Sequence, residues 1–165
     1  GVLFINDGTT LVNKGVLAPG ASPGTLTIDG DFTNQPGGRV ELEIGGTAPE
    51  DYDHLVITGD ADLGGEILLQ IIDGFLPQTG DQFELLDVGG TFDFSAEVSY
   101  SGVAGGWEFD TAFDPGTGLF VLTSLNNAQP VPEPANWLLA SAALVLFSTV
   151  QGRRRSRRGV AGNGS

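Results

Sequence analysis

Three groups of side chains in this 165-residue chain have types and spacing that suit chemistry. Gly20-Ala21-Ser22-Pro23-Gly24 fits the G-x-S-x-G pattern of a nucleophile elbow. An elbow takes an oxyanion-hole donor from the backbone N–H that follows the serine, and that residue is Pro23, which has none. No helical pattern follows either, so Ser22 reads as a turn residue. His54 is the one histidine, at the start of an apolar run beside Asp51 and Asp53. A carboxylate-oriented general base is its functional reading, and a surface histidine at the start of a strand is the ordinary one. Asp29/Asp31, Asp51/Asp53 and Asp60/Asp62 form three D-x-D pairs. Carboxylates are hard calcium ligands, and residues two apart share a strand face. Asp51, Asp53, Asp60 and Asp62 are therefore the candidate Ca²⁺ ligands, with solvated turn aspartates as the default. Twelve-residue loops from Asp29, Asp51 and Asp60 end at Val40, Asp62 and Ile71 rather than Glu, which excludes an EF-hand. No firm metal site, no catalytic residue and no other cofactor is expected. The rival view is a carbohydrate-active enzyme on a β-helix scaffold, with Trp107, Tyr52 and Tyr100 as its stacking candidates.

The charge is segregated along the chain. Of 7 Lys+Arg, only Lys14 and Arg39 precede Arg153, Arg154, Arg155, Arg157 and Arg158, whereas all 21 Asp+Glu do. A body this acidic repels phosphate, which argues against nucleic-acid binding. With no Cys, a disulfide framework, a thiolate metal site and cysteine catalysis are excluded. The chain has no Met, so it is expected to be the downstream piece of a longer precursor.

The elements that would position these groups are strands. Arg39–Ile44 alternates strictly, with Val40, Leu42 and Ile44 on one face and charges on the other. Thr25–Ile28 and Gln82–Leu85 alternate likewise. Glu66–Ile72 is apolar on both faces and predicts a strand covered on both sides. Further strands are expected at His54–Thr58, Phe92–Phe94, Glu97–Tyr100, Trp107–Phe109 and Leu119–Leu122. Asp29-Gly30, Gly45-Gly46, Gly59-Asp60, Gly64-Gly65, Asp73-Gly74, Gly89-Gly90 and Pro115-Gly116 punctuate them with turn chemistry. The pattern predicts an all-β domain, and a sandwich, a jelly roll and a β-solenoid all fit the spacing. The Pro/Gly-rich corner Ala18–Gly24 and the Thr/Asp/Gly enrichment favour a solenoid in the first half. Residues 74–125, richer in Phe, fit a solenoid, a cap or a small sandwich.

Composition changes near Gln129-Pro130. From Ala135 to Val150 no residue is charged, and a helix there would extend roughly 24 Å against a hydrocarbon core of about 30 Å. Thinning of the bilayer and snorkelling of the arginines accommodate the difference. Trp137 stands at the outer end as the expected interfacial anchor, and Arg153, Arg154, Arg155, Arg157 and Arg158 form a cytoplasmic stop.

Pro132-Glu133-Pro134, then the uncharged segment, then Arg153–Arg158 at the C-terminus together resemble the PEP-CTERM sorting signal of bacterial surface proteins. The resemblance implies recognition of Pro132, Glu133 and Pro134 by an exosortase, a membrane-embedded transpeptidase-like enzyme. It also implies transient anchoring in the inner membrane, then passage to the cell surface or extracellular polysaccharide matrix, in biofilm- or floc-forming bacteria. Residues 159–165 extend past the arginines, where many members end sooner. Leu17–Phe32, Asp51–Gly59 and Gly80–Leu86 are similar to the repeat segments of autotransporter-passenger-like proteins, which implies a β-solenoid stalk.

The expected organisation is a β-rich extracytoplasmic domain over 1–129, the C-terminal part of a longer solenoid. A sorting signal follows over 130–158, with a transmembrane helix at 135–152 and the arginine stop at 153–158, and then a disordered tail over 159–165. The expected function is that of a non-catalytic structural or adhesive surface protein, with extracellular polysaccharide as its expected partner outside the cell.

Overall fold

The computed structural model describes residues 1–4, 9–20 and 23–132. The chain divides into two units, Gly1–Val131 and Pro132–Ser165. Glu133 and Pro134, the helix expected at 135–152 with Trp137, the arginines at 153–158 and the tail at 159–165 all lie outside the described residues. So does Ser22. Among the described residues no helix is long and apolar enough to cross a membrane.

The first unit is all-β and solenoid-like. Each coil, or rung, contributes one strand to each of three parallel ladders. The first rung holds β1 (Val2–Phe4), β2 (Thr10–Asn13) and β3 (Val16–Leu17), and the second holds β4 (Thr25–Asp29), β5 (Asp31–Asn34) and β6 (Arg39–Ile44). In the third are β7 (His54–Ile57), β8 (Ala61–Leu63) and β9 (Glu66–Ile71), and in the fourth β10 (Gln82–Val88), β11 (Phe92–Phe94) and β12 (Glu97–Ser101). The ladders run β1-β4-β7-β10, β2-β5-β8-β11 and β3-β6-β9-β12, every one of these pairings parallel.

Alternation in each strand sends every second side chain inward, and in-register stacking turns those positions into apolar columns. Leu26, Leu55 and Leu86 make one column, and Val40, Ile67 and Val98 another. Leu42, Leu69 and Tyr100 make a third. All but Val98 and Tyr100 of these residues are buried in the core, and those two are partly buried against it. In β9, Ile67, Leu69 and Ile71 face inward while Leu68 is only half-buried on the outer face. This corrects the expectation of a strand covered on both sides. On that face Leu68 stands in register between Glu41 and Ser99.

Residues 74–125 build no separate sandwich. They complete the fourth rung and then form a hairpin, β13 (Phe109–Asp114) and β14 (Leu119–Ser124), which joins the first ladder antiparallel to β10. A register shift between Glu84 and Leu86 lets the consecutive residues Leu85 and Leu86 both point inward. The phenylalanines of this half plug the end of the core. Phe113 stacks on Phe92 at 4.2 Å, and Phe120 lies 4.9 Å from Phe94. Trp107 precedes β13 instead of belonging to a strand at Trp107–Phe109. It is 4 % exposed and packs edge-on to Tyr100.

Candidate functional site

Two concave surfaces among the described residues gather side chains from several rungs. The larger follows the corner between the second and third ladders. It encloses about 880 Å³ and is lined from all four rungs, from Gly15 and Val16 through Pro36–Arg39 and Gly64–Glu66 to Ser95 and Glu97. A pair of stacked asparagines braces this corner. Asn13 Nδ2 donates to Asn34 Oδ1 at 2.8 Å and to the Arg39 carbonyl at 3.0 Å. Asn34, 1 % exposed, in turn donates from Nδ2 to the Gly64 carbonyl at 2.6 Å. The Arg39 and Gly64 carbonyls thus each meet a side-chain donor. Gly65 turns the third corner at φ +66°, and a Cβ there would strike the Gly38 and Gln35 carbonyls, so glycine is required.

One wall of the groove is the outward column Val16, Arg39, Glu66 and Glu97, in register through the third ladder. Arg39 Nε donates to Glu66 Oε2 at 2.7 Å, and its Nη1 lies 3.6 Å from Glu41 Oε1. Ser99 Oγ donates to Glu66 Oε1 at 2.6 Å. The Ser99 hydroxyl and then the Arg39 side chain hold Glu66 below the ordinary glutamate range, and the hydrogen bond to Glu66 raises Arg39.

The smaller cavity, about 300 Å³, lies on the outer face of the second ladder, with Asp31, Asp60, Asp62 and Asp93 among its lining. Asp31 Oδ1 accepts the Asp60 amide at 2.9 Å, and Asp60 Oδ1 accepts the Thr91 amide at 2.7 Å. These carboxylates brace the corners from rung to rung, and the Thr91 amide holds Asp60 below the ordinary aspartate range. Among the described residues no three His, Asp or Glu side chains converge as a metal donor set.

No family model matches the chain, and no curated protein matches it in sequence.

Two of the three aspartate pairs singled out in the sequence separate in space. Asp29 ends β4 and Asp31 starts β5, on either side of the corner at Gly30. Asp51 closes a short 3-10 turn and is exposed, whereas Asp53 is buried. Asp60 and Asp62 do share a face, in the smaller cavity. Asp53 Oδ1 accepts the Gly24 amide at 2.6 Å and its Oδ2 accepts the Glu43 amide at 2.9 Å, so this carboxylate ties the corner at Gly24 to β6. His54 opens β7 with Nε2 buried, and among the described residues that nitrogen has no partner. Tyr52 is in the core, 5.7 Å from Phe83, and Trp107 Nε1 donates to Ser124 Oγ at 2.8 Å. Pro132 is exposed, two residues beyond the Val103–Pro130 bridge.

Burial raises the Asp53 carboxyl above its ordinary 3.8, with the two amide donors partly opposing the shift. A raised acid favours the folded state most when protonated. Its contribution is therefore full below the ordinary value and is lost as pH rises through the folded-state value. A carboxyl-carbon NMR titration should place the Asp53 midpoint above 3.8, and a midpoint at or below 3.8 would contradict the burial argument.

Arg39, Glu66, Glu97, Asn13 and Asn34 had not stood out in the sequence. A usable signal was present, since each asparagine stands just before a glycine-bearing corner, as Asn13-Lys14-Gly15 and Asn34-Gln35-Pro36-Gly37. Only the 21-residue register between Asn13 and Asn34 reveals that they stack.

Proposed function

We propose that this chain is a structural or adhesive protein of the cell surface or extracellular matrix, a β-solenoid carrying a PEP-CTERM-type sorting tail. The observation that carries the reading is the pairing, in one chain, of a stacked-rung solenoid with the tripartite tail that follows it in sequence. Pro132, Glu133 and Pro134 would be the motif gripped by an exosortase. A helix over 135–152 would hold the precursor in the inner membrane, with Trp137 at the outer interface and Arg153, Arg154, Arg155, Arg157 and Arg158 on the cytoplasmic side. Exposure of Val131 and Pro132 supports this, because a processing enzyme needs an unpaired segment. After processing, the domain would face the extracellular polysaccharide.

An enzymatic reading on the same scaffold would want aromatic platforms beside paired carboxylates. Trp107 and Tyr52 are spent on core packing, which favours the structural reading. Deletion of Pro132–Pro134 removes nothing that the described hydrogen bonds of the solenoid use. The deleted form is expected to stay in the membrane fraction at full length while the parent chain reaches the surface. Equal release of both forms would refute the proposal.

A further inference from the structure

We propose that the uncovered end of the solenoid, formed by β1, β2 and β3, is an interface for a second copy of this chain, stacked head-to-head about a two-fold axis. The inference does not depend on the sorting tail.

The two ends of the solenoid are built differently. At the far end the hairpin of β13 and β14 continues the first ladder past β10, and Phe113 and Phe120 close the core over Phe92 and Phe94. At the near end β1, β2 and β3 are the outermost strands of their ladders among the described residues. Leu3, in register with the fully buried Ile28, is 40 % exposed, so this inward column reaches the end without a cap. The backbone is open as well. Gly1, Asn13 and Gly15 accept from the amides of Thr27, Gln35 and Arg39 on the second-rung side. Backbone groups alternate sides along a strand, so those of Val2, Phe4, Val12 and Val16 face away from the second rung.

The side chains of this rung select the occupant. Five of the seven large hydrophobic side chains exposed among the described residues are Val2, Leu3, Phe4, Val12 and Val16. All but Leu3 stand at outward positions that later rungs fill mainly with polar or charged groups. Val12 is followed by Thr33, Asp62 and Asp93, and Val16 by Arg39, Glu66 and Glu97. Phe4 is followed by Asp29, and Val2 by Thr27, Val56 and Asp87. One more ordinary rung, as a longer solenoid would supply, pairs the open backbone and covers Leu3. It leaves the outward apolar rim in water beside polar neighbours. A second copy brings an identical apolar rim to the junction.

Charge points the same way. Before Arg153 the chain carries two basic side chains against 21 acidic ones, yet β1, β2 and β3 hold no charged side chain. Two such acidic bodies approach with least repulsion at these ends. Charge and proline are the usual guards of an exposed strand edge, and these three strands have neither.

A two-fold axis through Leu3, perpendicular to the stacking direction, lays β1 antiparallel to its counterpart and keeps inward faces inward. Val2 then opposes the partner's Phe4 as a hydrogen-bonded pair, and Leu3 opposes the partner's Leu3 across the open core. The same rotation sets β2 against the partner's β3, with Val12 on the same side as the partner's Val16. The far end cannot take a third copy in this way, because the hairpin occupies its first ladder and Asp93 and Glu97 charge the edges of β11 and β12. Stacking therefore closes at two copies rather than growing into a fibre.

Sedimentation equilibrium of the full chain in detergent is expected to show a reversible monomer–dimer equilibrium. The double variant Phe4→Lys/Val12→Lys should weaken it by roughly tenfold or more, because lysines at these places set like charges against each other at the junction. Leu125→Lys, at an exposed hydrophobic residue outside the first rung, should leave it unchanged. Hydrogen exchange of the unaltered protein gives a reading that needs no variant: the amides of Val2, Phe4, Val12 and Val16 should exchange more slowly as concentration rises. A chain that is monomeric at every concentration, a dimer that the double variant forms equally well, equal weakening by Leu125→Lys, or a dimer without protection of those amides would each overturn the assignment. A monomer with those amides protected would put another segment on the edge and overturn it too.

Discussion

Phe83→Ala is expected to destabilise the solenoid by about 3–5 kcal/mol, the usual cost of emptying a well-packed aromatic site. Phe83 is fully buried, lies edge-on to Tyr52 at 5.7 Å and to Phe75 at 6.1 Å, and so joins the third-rung corner to the segment leading into β10. Domains of this size are stable by about 5–15 kcal/mol, so the loss is a large fraction of the whole. Urea unfolding of the two proteins measures it. A difference below about 1 kcal/mol would mean that the site collapses onto the cavity and that the rungs are less rigidly stacked than the aromatic geometry implies.

Asn34→Ala is expected to have the next largest effect. The substitution removes the donor to the Gly64 carbonyl and the acceptor for Asn13 Nδ2, both at a buried corner. Each buried polar group left unsatisfied costs about 1–3 kcal/mol. The loss should be cooperative along the groove, since the Asn13 amide also steadies the Arg39 carbonyl. Asn34→Leu is informative beside it, because Leu63 occupies the matching position one rung later. That variant restores volume but not the donor, so it should recover only part of the lost stability in the same urea experiment. Full recovery would show that the corner needs filling rather than hydrogen bonding.

Strands with strict alternation were legible in the sequence, and Arg39–Ile44 and Phe92–Phe94 are strands over those residues. Asp31–Asn34 and Ala61–Leu63 were not, because each follows a turn signal directly and brings only one or two apolar side chains inward. A single corner residue, Gly30 at φ 147°, separates β4 from β5, so two strands read as one strand and a turn. The repeat itself was hidden by corners of unequal length. Partners lie 21 residues apart at Asn13 and Asn34, 27 at Arg39 and Glu66, and 31 at Asp60 and Thr91. No fixed period survives that variation, although the parallel register is kept throughout.

The groove was less legible for a related reason. Its wall gathers Arg39, Glu66 and Glu97 from three separate rungs, and nothing local marks them. The local D-x-D pattern attracted attention instead, yet its members serve as corner braces, Asp53 through the Gly24 and Glu43 amides and Asp60 through that of Thr91. Aspartates at solenoid corners answer first to unpaired backbone amides, which must be satisfied wherever a ladder is interrupted. Trp107 illustrates the same competition. An aromatic among glycines reads as a surface platform, but the end of the core needed a plug and took it.

The proposed surface role stands or falls on what becomes of the tail. The most direct measurement is the intact mass, with C-terminal peptide mapping, of the protein recovered from the surface of a bacterium that makes it. A mature C-terminus close to Pro132–Pro134, without Arg153–Arg158, is the expected result. Surface-recovered protein that still carries those arginines, or protein found only in the cytoplasm, would contradict it.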